Sequence, residues 1–496
     1  MTSLRLNLFA QTRWFQFQRG AKRLQSLLMF LGIGLLLSSC ATQQTKVNQV
    51  MLSFKRGDVE NVARMLDEAI PEKNNVYYLE RGTVMRLLGP NRLQESTKSL
   101  LITDEVLRNS EMKRMSLTSS LSAIGGYFLS EGIGKQYELK GYEGSLLAYH
   151  IALNHVLQGR WDLARIEIMK MVKREQDLAS FNQKKYDAIE QERRKGVKDM
   201  PAGTMINTSL QAGNPVIGGY PVNTLNDPEA LQLKNSYQSA AAHYLAGFIF
   251  EQQGEPSLAA PGYRQAIELR PGSPFLKEAL GNLDANLAKN GDSGKTDTLV
   301  IVETGFLPFI DTFKVNLPIP AGRTPKIVTI AYPYIQPNTE RFNPTRLSIG
   351  NQLLNPQLIA NVDAMVRRDL KDEMPGYILR GTSRAIASVV AQIVAERSAA
   401  SLSRDRNQGA LLGAIASLAT GAAMSAVNSA DVRHWTTLPA GIYMARANLP
   451  SGPQNLTIST PFGSQITKGI AVSGKKAVIY IRVFQNTATV MSSGVQ

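Results

Sequence analysis

The residues that could support catalysis or metal binding are few in this chain and lie far apart. Of the four histidines, none belongs to an HExxH motif or to a cluster of His, Cys or carboxylate residues with metal-ligand spacing. No GxSxG elbow occurs, and no GxGxxG follows a predicted strand. His150, His155 and His243 fall in predicted helices, where a packed histidine is the common case, and the fourth is His434. We therefore expect no enzymatic activity, no metal and no cofactor.

The stretch NGDSGKT imitates two catalytic motifs. A P-loop ending in Gly294, Lys295 and Thr296 would need a glycine where Lys289 stands, and it would have to follow a strand and open a helix. Here a predicted helix precedes the stretch and a predicted strand follows it. GDSG also resembles the nucleophile segment of trypsin-like proteases, but that fold needs a strand-rich region upstream of the serine. The polar composition favours a flexible linker over 291–297.

Cys40 is the only cysteine, so an intrachain disulfide is excluded. The preceding segment, 1–39, contains five basic and no acidic residues, the apolar run Leu27–Leu37, and the small pair Ser38-Ser39. A basic start, a short apolar run and a small-residue cleavage site define a secretory signal peptide. Crossing a hydrocarbon layer of ~30 Å takes roughly 20 residues, so this run is too short to be a membrane span.

The residues Leu37-Ser38-Ser39-Cys40 resemble a bacterial lipobox. The resemblance implies diacylglycerol on the Cys40 sulfur, cleavage before it, an N-acyl chain on the new amino terminus, and a lipidated tether over 40–45. At ~0.8 kcal/mol per buried methylene, two or three acyl chains anchor a protein stably to a membrane. Ala41 stands where an Asp often retains such proteins in the inner membrane, so we expect the outer membrane, facing the periplasm. The alternative is an ordinary signal peptide with an incidental cysteine.

The charge of the chain is strongly basic, with a formal net charge of +15. Basic residues are interleaved with acidic ones along the whole length, and no dense basic run with aromatic spacing occurs. Such a pattern favours solubility and a mild attraction to anionic envelope surfaces. Because an export signal also separates the protein from most nucleic acid, we expect no nucleic-acid partner.

Residues 46–290 have the spacing of helical repeats. The clearest unit is AAHYLAGFIFEQQGEPSLAAPGYRQAIELRP. It carries small, aromatic and stop residues at the positions of a tetratricopeptide repeat, namely Gly247, Phe250, Gly254, Ala259, Tyr263, Ala266 and Pro271. Weaker, unevenly spaced copies surround Gly57, Gly82 and Gly159. Stacked helix pairs bury a shared core and form a concave surface. We expect an irregular tetratricopeptide-like domain; an ordinary all-α domain is the alternative.

Two segments interrupt the repeats. Lys170–Lys198 is highly charged and has no Gly or Pro before Gly196, which predicts a long helix with a solvated face. Pro201–Asp227 is rich in Gly, Pro, Asn and Thr, which predicts a long loop.

Beyond the linker, residues 298–496 change from helical periodicity to a composition typical of strands. β-branched segments predict strands at 298–303, 313–317, 326–331, 441–449, 455–459 and 476–484. Between them the sequence predicts a helical hairpin at about 376–430, whose first helix carries the apolar stripe Ile386, Val389, Val390, Ile393 and Val394. The fold class is therefore α+β multidomain, with helical repeats followed by a small β-sandwich or sheet that carries a helical hairpin.

The second hairpin helix, about 409–427, lies in the uncharged segment 407–430. Its many alanines and the GxxxG step Gly409 to Gly413 have two interpretations. We favour a buried helix in close contact with its neighbours, and the alternative is a membrane-inserting or oligomerising hairpin.

Two segments, 134–176 and 428–452, resemble an uncharacterised family of bacterial outer-membrane lipoproteins with tetratricopeptide-like repeats. The matching residues are Tyr142, Glu143, Gly144, Asp431, Arg433, Trp435, Leu438, Pro439 and Arg446. The resemblance implies no catalytic residues, and it puts peptidoglycan synthesis first among the envelope processes to consider. We expect Trp435 to be a core anchor.

The sequence thus predicts an outer-membrane lipoprotein that acts as a docking scaffold or adaptor for a protein partner in cell-envelope assembly. The alternative is an oligomeric accessory component of an export or surface structure that uses the 380–430 hairpin. A lipid-anchored hydrolase would require convergent carboxylates in a deep pocket.

Overall fold

The computed structural model describes residues 49–130, 137–195, 207–211, 213–288, 294–321, 325–337, 340–344, 346–401 and 430–493, without side chains at 128–130 and 396–401. The chain divides into two compact units, Met1–Pro71 and Glu72–Gln496. The signal peptide, the tether with Cys40, and the second helix of the predicted hairpin lie outside the described residues.

The first unit contains a helical hairpin. Helix α1 covers 49–56 and helix α2 covers Val59–Ala69. Gly57, with a φ of +82°, makes the turn between them, and the Asp58 side chain caps α2 by accepting a hydrogen bond from the Asn61 amide.

Helices dominate the first half of the second unit. They are α3 (Asn75–Leu87), α4 (Leu93–Leu117), α5 (Leu121–Ser130), α6 (Gly141–Leu157), α7 (Trp161–Lys195), α8 (Pro228–Gln232), α9 (Ala240–Gln252), α10 (Pro256–Leu269), α11 (Pro274–Gly281) and α12 (Leu283–Ala288). Consecutive helices pack in pairs, α3 with α4, α6 with α7, and α9 with α10. The predicted long helix after Lys170 is the C-terminal part of α7.

Helix α6 is the centre of this helical layer. Every residue from Tyr142 to Leu157 is buried, and α4, α7 and α9 all contact the helix. A helix that is apolar around its whole circumference must be covered on all sides. The sequence of α6 therefore requires the layer that surrounds it.

Strands make up most of the second half. They are β1 (Lys295–Thr304), β2 (Ile310–Ile319), β3 (Lys326–Ile335), β4 (Leu347–Ile349), β5 (Gln352–Leu354), β6 (Gln357–Asn361), β7 (Gly441–Pro450), β8 (Gly452–Ser459), β9 (Gln465–Val472), β10 (Lys476–Val483) and β11 (Ala488–Ser492). All six strands expected from the sequence are present, so the predicted α+β fold class is confirmed.

The strands form three sheets, one of which is the antiparallel pair β2-β3. A five-stranded sheet has the order β11-β10-β1-β7-β6, in which only β1 and β10 run parallel, and a four-stranded sheet has the order β5-β4-β8-β9. One face of the larger sheet, with Val300 and Ile479, shares a core with Ile349 and Leu456 of the smaller sheet, as in a sandwich. Since side chains alternate along a strand, Glu303 of β1 lies on the opposite face, towards His150 of α6.

Two boundaries differ from the prediction. Helix α13 spans Val362–Ser401 and so begins well before residue 376, with Pro375 in its interior. The helix continues directly from β6 and contacts α8 and β3, and beyond the proline Gly381 lies against Ile330 and Tyr332 of β3. The predicted linker ends inside β1, because Thr296 and Asp297 already pair with β7.

The regions predicted as separate domains, 46–290 and 298–496, do not coincide with the compact units, since the second unit runs from Glu72 to Gln496. The helical layer covers one face of the five-stranded sheet and shares buried polar contacts with it. The loop predicted at Pro201–Asp227 is also partly integrated, because the Tyr220 hydroxyl donates a hydrogen bond to the Pro333 carbonyl of β3 at 2.9 Å.

Candidate functional site

The residues of the clearest predicted repeat meet at one helix–helix contact. A Cβ built on Gly247 of α9 would lie 2.6 Å from the Tyr263 ring of α10, so only glycine allows this approach. Ala259, Tyr263 and Ala266 are fully buried, and Gly254 makes the intervening turn with a φ of +76°. Phe250 is a buried residue of α9, and Pro271 lies in the turn that follows α10. These positions therefore form a packing site.

Arg446 fastens this helix pair to the sheet. From β7 its guanidinium donates hydrogen bonds to Asp297 of β1 at 2.9 Å and to Glu251 of α9 at 3.0 Å. It also lies 4.9 Å from the centre of the Phe248 ring. A bidentate, largely buried arginine of this kind fixes geometry as well as charge.

The two segments that carry the family resemblance contact each other. The Trp435 amide donates a 2.7 Å hydrogen bond to Glu143 of α6, and the Trp435 indole N–H donates to the Thr83 hydroxyl at 2.9 Å. Glu143 also accepts from the Lys140 amide and from the Tyr137 hydroxyl. Trp435 is fully buried, at the place expected of a core anchor.

Glu80 of α3 holds the next two residues. Its carboxylate accepts hydrogen bonds from the amide and hydroxyl of Thr436 and from the amide of Thr437. Burial raises the pKa of Glu80 to about 7, although these hydrogen bonds act in the opposite direction. The turn before β7 is thus held by two buried glutamates.

The four histidines are packed within the fold. Burial, together with the nearby Arg86, lowers the pKa of His150, whose Nδ1 lies 3.8 Å from Glu303. Burial also lowers the pKa values of His155 and His434 to about 4. His243 contacts Glu175 through Nε2 at 2.8 Å.

A surface cleft of about 720 Å³ opens beside the start of α6; we call it the α7–α13 cleft. Its walls are α7, α13 and the segment before α9. Three carboxylates of α13, Asp369, Asp372 and Glu373, lie on one helix face at spacings of three and four residues. Three acidic side chains of one helix thus line this surface cleft.

Two of these carboxylates are neutralised by cations. Arg368 donates to both oxygens of Asp372 at 2.9 Å, and Lys185 of α7 forms an ion pair with Glu373. Asp369 accepts one hydrogen bond, from the Ser236 hydroxyl at 3.1 Å. Burial, followed by the nearby Glu373, raises the pKa of Asp369 to about 7.

Lys140 lies at the same end of the cleft. Its ammonium donates to the Tyr377 hydroxyl at 3.2 Å. Burial alone would lower the pKa of Lys140, but Tyr377, Asp431 and Asp369 raise it above its ordinary value, so the side chain stays charged. A buried carboxyl group and a persistent ammonium thus face one cleft.

A second surface feature is an apolar row on the first turns of α7, which we call the α7 stripe. Leu163, Ile166, Met169 and Val172 follow at three-residue steps and are 37–48% exposed. Successive members are neighbours on the helix surface, and the stripe winds diagonally across the exposed side of α7, with Ile166 and Met169 at its centre. The exposed side chain of Lys173 and the exposed Arg160 border the row. Contiguous exposed apolar residues with a charged rim are typical of protein–protein contact surfaces.

Within the described ranges, no group of three or more His, Cys, Asp and Glu residues is arranged to hold a metal ion. By length and composition alone, Val362–Ala395 of α13 could cross a membrane, with a mean hydropathy of 1.2 over its most apolar window. Since 44% of that window is buried inside the fold, the helix also fits a core position.

Comparison with known proteins gives no relative: no protein family, curated protein or solved structure matches the chain. The site residues that sequence reasoning missed are Lys140 and Asp369. Each is ordinary in its own segment, and only the fold brings them to the same cleft.

Proposed function

We propose that this protein is an outer-membrane lipoprotein that faces the periplasm and docks a protein partner in cell-envelope assembly, with peptidoglycan synthesis as the first process to examine. The export signal and the lipobox-like Cys40 support the membrane anchor. The α7 stripe is the observation that carries the docking role.

The stripe has the composition of a small contact surface. Methionine adapts to irregular partners, and the neighbouring Leu163 and Ile166 supply apolar area that water solvates poorly. Arg160 adds positive charge at one end of the stripe, whereas Lys173 forms an ion pair with Asp177. The partner surface that fits is an apolar strip with an acidic side chain at one end, because opposite charges at a rim steer association.

In this proposal the protein binds its partner and does not catalyse a reaction. In the α7–α13 cleft, Asp372 and Glu373 are held in ion pairs with Arg368 and Lys185, which occupies the oxygens that acid–base chemistry would use. A pair of carboxylates available for general acid and base work would have to be free to exchange protons with a substrate.

Site-specific photo-crosslinking in intact cells tests the docking role. A photoreactive amino acid at Ile166, within the stripe, should form a discrete product with one envelope protein. The same amino acid at Gln191, which is exposed near the other end of α7, is the matched control and should form none.

A substitution tests whether the crosslinked product at Ile166 depends on the α7 stripe. Met169→Glu places a charge in the apolar row and should reduce the Ile166 product by about tenfold, which corresponds to roughly 1.4 kcal/mol of binding free energy. Equal products at Ile166 and Gln191, or a product that Met169→Glu leaves unchanged, would contradict docking through this surface.

A further inference from the structure

We propose that a second cleft, at one end of the five-stranded sheet, binds an acidic oligosaccharide through lysine and side-chain amide groups. We call it the sheet-end cleft. Its floor is formed where β1 and β10 begin and β7 ends, and its walls are α9, α11 and α12. The cleft has a volume of about 1050 Å³ and shares no residue with the α7 stripe, so the inference goes beyond the docking function.

The register of the sheet brings the floor residues together. Asn448 of β7 pairs with Asp297 of β1, and Asp297 pairs in turn with Lys476 of β10. Residues paired in this way lie on the same face of a sheet, and neighbouring strands are about 4.8 Å apart. Lys295 lies on that face two residues before Asp297, and the Lys475 carbonyl accepts a hydrogen bond from the Asp297 amide at 3.1 Å. The floor therefore gathers three lysines and an amide around one carboxylate.

The carboxylates at the inner end of the cleft already have partners. Arg446 donates hydrogen bonds to both Glu251 and Asp297. Glu251 also accepts from the Tyr263 hydroxyl, and Asp297 accepts from the Gln252 side chain. A ligand group would have to displace an existing contact to reach them, so the inner end contributes little to binding.

Lys476 is engaged as well. Its ammonium donates to the Gln252 carbonyl at 2.8 Å and lies 4.4 Å from the centre of the Trp161 ring. Burial lowers the pKa of Lys476, whereas Asp162, which lies outside the cleft, raises it. These contacts hold the side chain within the fold, so a ligand has to be bound by other groups.

Six solvent-accessible polar side chains of the cleft make no hydrogen bond or ion pair in the described part of the chain. They are two cations, one anion and three amides, namely Lys295, Lys475, Glu278, Asn282, Asn286 and Asn448. The free lysines outnumber the free glutamate, which favours a ligand that carries negative charge. Side-chain amides both donate and accept hydrogen bonds, so they match the hydroxyl and acetamide groups of sugars, which also do both.

The position of the floor in the sheet favours a sugar over a peptide. A bound extended peptide typically adds to a free sheet edge, but β10, β1 and β7 are inner strands, with β11 and β6 at the edges. The ligand must therefore be held by side chains. The half-buried Phe275 lines the cleft and packs against the Tyr244 ring with the ring centres 4.7 Å apart. Its ring adds a surface for the C–H groups of a sugar, because the face of an aromatic ring is electronegative.

Ligand-observed NMR titration of the full chain, in micelles of a detergent without sugar groups, tests the proposal. The probe is the disaccharide of D-glucuronic acid and N-acetyl-D-glucosamine, which carries a single carboxylate. Two controls each lack one feature: diacetylchitobiose is an uncharged disaccharide, and N-acetyl-glutamyl-alaninamide carries the carboxylate without a sugar. We expect saturable binding of the acidic disaccharide with a Kd of about 1 mM or below, and binding of both controls that is weaker by about tenfold or more.

Two double variants assign the contacts. Lys295→Met combined with Lys475→Met should weaken binding of the acidic disaccharide by about tenfold or more and leave the affinity for diacetylchitobiose unchanged, since that probe has no charge to lose. Asn286→Ala combined with Asn448→Ala should weaken the binding of both disaccharides, because the amides contact groups that the two probes share.

The matched control variants lie outside the cleft. Lys468→Met and Asn455→Ala are exposed changes on β9 and β8 and should leave binding of the acidic disaccharide unchanged. Three results would overturn the proposal: no saturable binding of the acidic disaccharide, equal binding of this probe and either control probe, or unchanged binding by either folded double variant. If a double variant fails to fold, the comparison of the three probes on the unmodified chain still decides the question.

Discussion

The Trp435 amide and the Glu143 carboxylate are joined by a 2.7 Å hydrogen bond across 292 residues of chain. The bond fixes the turn before β7 to the first turn of α6, the most deeply buried helix of the described layer. Burial raises the pKa of Glu143, and its carboxyl oxygens accept hydrogen bonds from the amides of Trp435 and Lys140 and from the Tyr137 hydroxyl. The group is therefore an anchor because several buried donors depend on it.

Removing this carboxylate should destabilise the fold. Glu143→Ala leaves the amides of Trp435 and Lys140 without their acceptor, and each buried unpaired donor costs about 1–3 kcal/mol. We expect the free energy of unfolding to fall by about 3 kcal/mol in chemical denaturation. Glu105→Ala, an exposed change on α4, is the control and should change it by less than about 0.5 kcal/mol. A loss at Glu143 no larger than at Glu105 would contradict the anchor.

Stability should depend on pH through Glu80. Its pKa is about 7 in the folded protein and near 4.5 when unfolded, so the unfolded state loses its proton first as the pH rises. The stabilising contribution is fully present below pH 4.5 and is lost as the pH rises through 7. The total is on the order of 3 kcal/mol, at 1.36 kcal/mol per pKa unit.

Glu80→Gln tests this dependence because glutamine does not titrate and keeps one acceptor oxygen, which can serve the Thr436 amide. The Thr437 amide loses its acceptor, which lowers the stability of the variant at every pH without changing its pH dependence. The free energy of unfolding, measured by chemical denaturation at several pH values between about 4.5 and 7.5, should change less with pH for the variant than for the unmodified protein. Parallel curves for the two proteins would show that Glu80 does not titrate in this range.

The contact between α9 and α10 should be sensitive to a single methyl group. Gly247→Ala places a Cβ about where the Tyr263 ring lies, and overpacking of this kind costs about 1–3 kcal/mol. Gly281→Ala is the matched control, since Gly281 is also helical and has open space around it. Thermal denaturation should show a lower Tm for Gly247→Ala and an equal or higher Tm for Gly281→Ala. The reverse order would contradict the close approach.

The sequence predicted the elements of the fold better than their contacts. Strands β1 and β10 are rich in β-branched residues, and α6 is mostly apolar, so local pattern alone identifies them. Strands β4 and β5 have three residues each, which is too short for an alternating pattern, and they depend on pairing with β8 and with each other.

The candidate sites depend on contacts between distant segments. Lys140 directly precedes α6 and Asp369 lies in α13, far away in sequence, and each residue is an ordinary charge in its own segment. The same is true of Arg446, whose two carboxylate partners come from α9 and β1. Charges that pair through tertiary structure leave no periodic signal along the chain, so these sites required the fold.

The proposed anchor is tested most directly by metabolic labelling with a palmitate analogue in cells that express the unmodified chain or Cys40→Ala. The account predicts that the unmodified chain is labelled and fractionates with outer membranes, and that Cys40→Ala is unlabelled and absent from them. Equal labelling and equal membrane fractionation of the two proteins would contradict a lipid anchor at Cys40 and the site of action inferred from it.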